Sequence, residues 1–396
     1  MYDLVVSDAR LFPMTDGLAC SDHRAVAVRD GRIAAFDPPA SAPARTRLDA
    51  AGGFVLPGFI DCHTHALYAG DRMAEHAERL RGATYAEIAA RGGGIQTTVR
   101  AVRAASEAEL VAGTRGRLAA LASEGVTTVE VKSGYGLDLD TELKMLRAIA
   151  ALRAAPATPV DVVATFLALH ALPKGADRAA FVTEAIERWL PAVAAADLAR
   201  AVDIYVEHIA FSTDDLARLA AAARAHGLAL RAHTDQLSNL GGTARAAGLH
   251  ALSCDHLEHT SEADVAAMAE HGTVAVLLPF AYYFLRDTQP PPIAALRRAG
   301  VPMAVATDLN PGTSPCCSLL TALHLSTVLF GLTAEEALLG ATRHAAAALG
   351  LRDRGTLALG QRADFTVWDL PGPEHLVYQM GGLRPTARFL LGLQRG

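Results

Sequence analysis

The chain has 396 residues, 51% hydrophobic and 20% charged, with a formal net charge of −6, enough apolar material for one large domain and a smaller one. The acidic balance argues against a nucleic-acid or anionic-membrane partner. No run approaches the roughly 20 apolar residues of a membrane span, and Met1–Asp8 does not read as a signal peptide. Five cysteines (Cys20, Cys62, Cys254, Cys316, Cys317) without CxxC spacing read as reduced thiols, so a cytoplasmic protein is expected.

Short β-rich segments open the chain at Tyr2–Val6, Ala25–Val28 and Arg32–Ala35, and matching segments close it at Gly355–Leu357 and Ala363–Trp368. Neither end has enough strands for a core of its own. Residues 1–53 and 355–396 are therefore expected to meet as one small β-sandwich domain, leaving 54–354 as a second domain.

Within 54–354, apolar strands alternate with helical segments. The strand candidates are Phe54–Ile60, Val126–Val131, Val160–Ala168, Val202–Val206, Leu228–Arg231, Ala251–Ser253, Thr273–Leu278 and Pro302–Ala306. Strand–helix alternation implies a parallel sheet. Eight units suggest an α/β fold of the (β/α)8 TIM-barrel type, whose functional residues sit at the C-terminal ends of the strands. A doubly wound open sheet is the alternative, but no GxGxxG turn follows the first strand, which counts against a dinucleotide-binding version.

The strand ends are rich in chemistry. After strand one come His63 and His65 in Asp61-Cys62-His63-Thr64-His65. Histidines at i and i+2 point the same way only on extended backbone, so the pair fits a metal clamp; alone, it also fits two surface histidines. The other ends give Lys132 and Tyr135, then His170, Glu207 with His208, His233 with Gln236, His256, Leu278-Pro279, and finally Asp308 with Asn310, Gly312 and Thr313. His63, His65, His233 and Asp308 make a three-nitrogen, one-carboxylate set with room for water. Catalytic zinc keeps such an open position and lowers the pKa of bound water to about 7. No cysteine belongs to the set, which argues against a structural zinc site. The remaining histidines, His324 and His344 among them, read as solvated.

His-x-His after strand one, His after strands five and six, and Asp after strand eight resemble the amidohydrolase superfamily. Five stretches carry the likeness further: Arg91–Ile95, Lys132–Leu137, Asp235–Gly242, Asp255–Glu258 and Ala306–Pro315. Together they resemble the branch that opens an imidazolone ring. The resemblance implies hydrolysis of 4-imidazolone-5-propanoate to N-formimidoyl-L-glutamate in histidine degradation, and a homodimer. It implies Arg72 for the carboxylate tail, Tyr135 and His170 for ring and tail, and Asn310, Gly312 and Thr313 for a substrate-contacting turn. His256 would polarise the carbonyl or relay a proton.

Two features bear on mechanism. Gln236 stands where some relatives carry a glutamate, and an amide cannot take a proton. The base role then falls to Asp308, with His256 as relay and Gln236 orienting substrate or water. Strand four ends in Glu207 rather than the lysine whose carbamate bridges two metals in many amidohydrolases. One zinc or iron per chain is therefore expected, with Glu207 behind the ligands or facing the substrate. Two other readings stand beside this one: another cyclic-amide hydrolase or heterocycle deaminase of the same superfamily, and a metal-binding scaffold without catalysis.

Overall fold

The computed structural model describes residues 1–83, 87–88 and 91–395. Eight parallel strands run in sequence order through its centre: β1 Phe59–Asp61, β2 Val126–Lys132, β3 Asp161–Leu169, β4 Ala201–Val206, β5 Ala229–Thr234, β6 Ser253–His256, β7 Val274–Leu277 and β8 Met303–Val305. β-branched residues dominate β2, and every residue of it is buried, as a parallel strand covered on both faces requires. The ring closes where β1 meets the chain beyond β8. The amide of Asp308 donates to the His63 carbonyl at 3.0 Å, and that of His65 donates to the Leu309 carbonyl at 2.9 Å.

Helices cover the outside, and their starts are written in the sequence. Ser106 with Glu109, Ser212 with Asp215, Ser261 with Asp264 and Thr333 with Glu336 each form a reciprocal capping box, satisfying two amides that the first turn leaves unpaired. The main apolar cluster lies between these helices and the barrel. The helix Leu319–Phe330 belongs mostly to that core, with Val328 left exposed.

The predicted strand Phe54–Ile60 is in fact two. Phe54–Pro57 pairs antiparallel with Phe365–Trp368 in a five-stranded sheet, and only Phe59–Asp61 enters the barrel. Gly58 lies between them, with Thr127 packed where a β-carbon would stand. That sheet and a four-stranded sheet holding Tyr2–Ser7 share an apolar cluster built from both ends of the chain. Gly355–Leu357 is not a strand; Leu357 is buried in that cluster, and its amide donates to the Pro13 carbonyl. Ala44–Asp49, polar and half-exposed, and Ala387–Leu390 are strands that the sequence reading missed.

Candidate active site

The C-terminal strand ends open into a cavity of about 740 Å³, lined by His65, Arg72, Tyr135, His170, His233, Gln236, His256, Asp308, Asn310 and Thr313 among others. His63 lies just beneath, fully buried. Several of these ends hold non-glycine residues at positive φ, with Asp235 at 53°, His256 at 86°, Leu257 at 77° and Asp308 at 52°. Such backbone costs energy and tends to gather at functional sites.

Four groups converge at the floor. Asp308 Oδ1 lies 3.4 Å from His63 Nε2 and 3.5 Å from His65 Nε2. His65 Nε2 lies 3.4 Å from His233 Nε2. The remaining ring nitrogens of two of these imidazoles are fixed from behind: His63 Nδ1 is 2.6 Å from Asp255 Oδ2, and His233 Nδ1 is 3.0 Å from Asp203 Oδ1. Those carboxylates accept from Nδ1–H and leave each Nε2 as a lone-pair donor toward the centre. His63 Nε2 is buried with no hydrogen-bond partner, the state of an atom shaped to meet a metal ion rather than a protein donor. Burial holds His63 and His65 well below the ordinary histidine range, so both rings stay neutral.

Other groupings of ligating atoms occur here. His63, His233 and His256 lie close enough to share an ion, as do Asp203, His233 and Asp255. The second of these sits behind the imidazoles, and its carboxylates are already bonded to Lys132 and Arg231. His256 lines the cavity with Nδ1 unbonded, 3.9 Å from Glu258 Oε1.

The walls are braced by residues that the sequence reading missed. Glu75 takes Arg72 Nε on one oxygen at 2.8 Å, and Gly94 N and Thr97 Oγ1 on the other. The Gly-rich stretch after Arg91 thus anchors Arg72. Glu142 accepts from the amides of Gly134, Gly136 and Leu137 and so holds the loop that presents Tyr135. Glu142 lies in the first turn of the helix Leu139–Ala154, and the one signal in the sequence was a glutamate on that helix's buried face.

His170 Nδ1 lies 2.9 Å from the Gly134 carbonyl, and its ring stacks on His65 with centroids 5.2 Å apart. Burial lowers the His170 pKa to about 4. Tyr205 donates to Gln236 Oε1 at 2.9 Å, leaving the Gln236 NH₂ to donate elsewhere. Asn310 spends its amide on the turn, donating to the Asp308 carbonyl and accepting from Gly312 N and Thr313 N. Gly312 does not line the cavity but backs Arg72, whose guanidinium fills the space of a β-carbon there.

Glu207 is not substrate-facing. It accepts from Leu237 N, Ser238 N, Ser238 Oγ and His208, bracing the loop that carries Gln236. His324 and His344 are half-buried rather than freely solvated; each Nδ1 is 3.0 Å from a backbone carbonyl.

A family model described as "Amidohydrolase family" matches residues 71–378. An imidazolonepropionase of Mesorhizobium japonicum is 54% identical over 385 residues, covering 94% of each chain. One from Caulobacter vibrioides is 53% identical over 391 residues, covering 97% of each. Among solved structures, an adenosine deaminase from Xanthomonas campestris with bound zinc superposes with a TM-score of 0.70 at 19% identity, over 99% of this chain and 92% of that one. A triazine hydrolase variant gives 0.74 at 17%, over 99% and 94%. At such identities the structures speak for the fold alone.

Proposed function

The chain belongs to the amidohydrolase family and, within it, to the imidazolonepropionases, and on that footing we propose that it hydrolyses 4-imidazolone-5-propanoate to N-formimidoyl-L-glutamate in histidine degradation. One observation carries the reading for this chain's own residues. His65, His233 and Asp308 line one cavity with Arg72, a cation suited to the substrate's carboxylate tail, and His63 lies beneath them within reach of the same ion.

The four groups fit one metal ion, zinc or iron, with a coordination position left over. A metal ion there would supply Lewis acidity and acidify water at neutral pH. The commitment of Glu207 to the neighbouring loop supports one ion rather than two.

In the reaction, water adds to the ring carbonyl carbon, the C–N bond to that carbon breaks, and the departing nitrogen gains a proton. Asp308 takes the proton of the attacking water and passes it on. His256, neutral through burial, polarises the carbonyl and serves as relay. Gln236 orients substrate through its NH₂, since its oxygen is engaged by Tyr205. Arg72, held by Glu75, takes the propionate. Tyr135 and His170 meet the ring and tail of the substrate, and Thr313, on the turn shaped by Asn310 and Gly312, contacts the substrate.

A homodimer in the cytoplasm is the state expected on this reading; sedimentation tests the first part. Among the described residues no helix is long and apolar enough to cross a membrane. The activity is tested with freshly generated imidazolone propionate and metal-loaded protein, following the loss of its ultraviolet absorbance. Turnover to N-formimidoyl-glutamate is expected, and its absence overturns the reading.

A further inference from the structure

The wholly buried charged side chains beneath the cavity include Glu130, Lys132, Asp203, Arg231 and Asp255. Charges removed from water are costly unless each is paired and hydrogen-bonded, and here the pairing forms one unbroken chain. Asp255 Oδ2, which meets His63 Nδ1, also accepts from Arg231 Nη2 at 3.0 Å. Arg231 Nη1 donates to Glu130 Oε1 at 2.8 Å. Lys132 Nζ reaches the same oxygen at 2.8 Å and Asp203 Oδ2 at 2.7 Å. Asp203 Oδ1 then meets His233 Nδ1.

The other oxygen of Glu130 accepts the amide of Thr64 at 3.0 Å, the residue between His63 and His65. One carboxylate is therefore tied to the backbone of the His-x-His pair and to both cations. Through those cations it reaches the carboxylates that orient His63 and His233. Among the described residues no other buried acid under the site has this position; Asp61, for instance, accepts from the Thr307 hydroxyl and amide.

We propose that Glu130 is a positioning residue for the metal centre, the hub that fixes the relative orientation of His63 and His233 although it touches neither. This rests on the reading of His63, His65, His233 and Asp308 as metal ligands. Partners behind metal-binding histidines commonly set affinity by a factor of about ten to a hundred. Glu130 extends that role one bond further, because Arg231 and Lys132 are held in place by it.

The test measures metal affinity by chelator competition, the visible spectrum of the cobalt-loaded protein, and the melting temperature of the metal-free protein. Glu130→Gln keeps the shape and removes the charge. It is expected to weaken metal binding on the order of tenfold or more and to alter the cobalt spectrum. Because it takes one of two carboxylate partners from each buried cation, the charge-balanced Glu130→Gln/Lys132→Met protein is measured beside it and is expected to behave in the same way. A lowered metal-free melting temperature with wild-type affinity and spectrum would show a structural role only and overturn the proposal, as would failure of both variants to fold. Wild-type protein and His63→Ala are the controls for the underlying reading. If the first binds no metal, or the second binds as well as wild type, the ligand assignment falls; if both controls behave, the result speaks to Glu130 alone.

Discussion

The backbone amide of Asp308 donates to the carbonyl of His63 at 3.0 Å, while the Asp308 carboxylate lies 3.4 Å from His63 Nε2. The same two residues thus take part both in the seam that closes the barrel and in the convergence at its mouth. Asp308→Asn keeps the backbone seam and the volume but removes the proton acceptor. It is expected to lower kcat by about a hundredfold or more while the melting temperature of the metal-free protein stays close to wild type. Steady-state kinetics and thermal denaturation check both parts.

Gly312 leaves the space that the Arg72 guanidinium occupies, and a β-carbon there would stand about where Nη1 is. The backbone of Gly312 is not among the positive-φ glycines, so alanine is tolerated by the chain itself. Gly312→Ala should therefore act through Arg72. KM should rise about tenfold or more, the scale of a charge-assisted hydrogen bond, with kcat less affected. Kinetics on the propionate substrate checks the split.

Glu142 receives three amides of the loop around Tyr135. In Glu142→Gln the NH₂ group faces at least one of those donors, leaving buried N–H groups unpaired at about 1–3 kcal/mol. The variant is expected to melt lower and to bind substrate more weakly. Denaturation and KM measured together would show whether both changes occur.

Asp264 caps a helix and accepts from Asn239 of the loop beyond β5. Burial pushes its pKa up, but hydrogen bonds from Ser261, Asn239 and Ala244 outweigh this and hold it below the ordinary 3.8. A carboxyl lowered in the folded state stabilises the protein above its unfolded pKa, and that stability fades as pH falls through the folded value. Asp264→Asn should therefore lower the melting temperature most near neutral pH, with the gap to wild type closing on acidification below about 4. Melting curves across that range are the check.

Much of this site was legible because chemistry-bearing residues follow apolar runs. His63, His65, His233, His256 and Asp308 could be read off as strand ends, and the structure brings them to one place. What pairs with them could not. Asp203 and Asp255 lie inside strands, where a carboxylate looks like an interruption until its neighbours are known. Glu75 and Glu142 act across 19 and 8 residues on Gly94 and Gly134, a separation that no local period reveals. The strand division at Gly58 was hidden for a related reason: Phe54–Ile60 is one apolar run, and only the packing of Thr127 shows where it turns. Ala44–Asp49 alternates too weakly to read as a strand, its pairing with Tyr2–Ser7 supplying what its composition does not. The split of the chain into 1–53 with 355–396 and 54–354 stays a proposal, which limited proteolysis near residues 53 and 355 addresses.

The central claim is that His63, His65, His233 and Asp308 hold a single metal ion on which hydrolysis depends. Metal content per chain, measured with turnover on wild-type and His233→Ala proteins, tests it most directly. One equivalent of zinc or iron in the wild type, lost together with activity in the variant and in chelator-treated protein, is the predicted result. Two equivalents in active wild type, or a variant that keeps both metal and turnover, would contradict it.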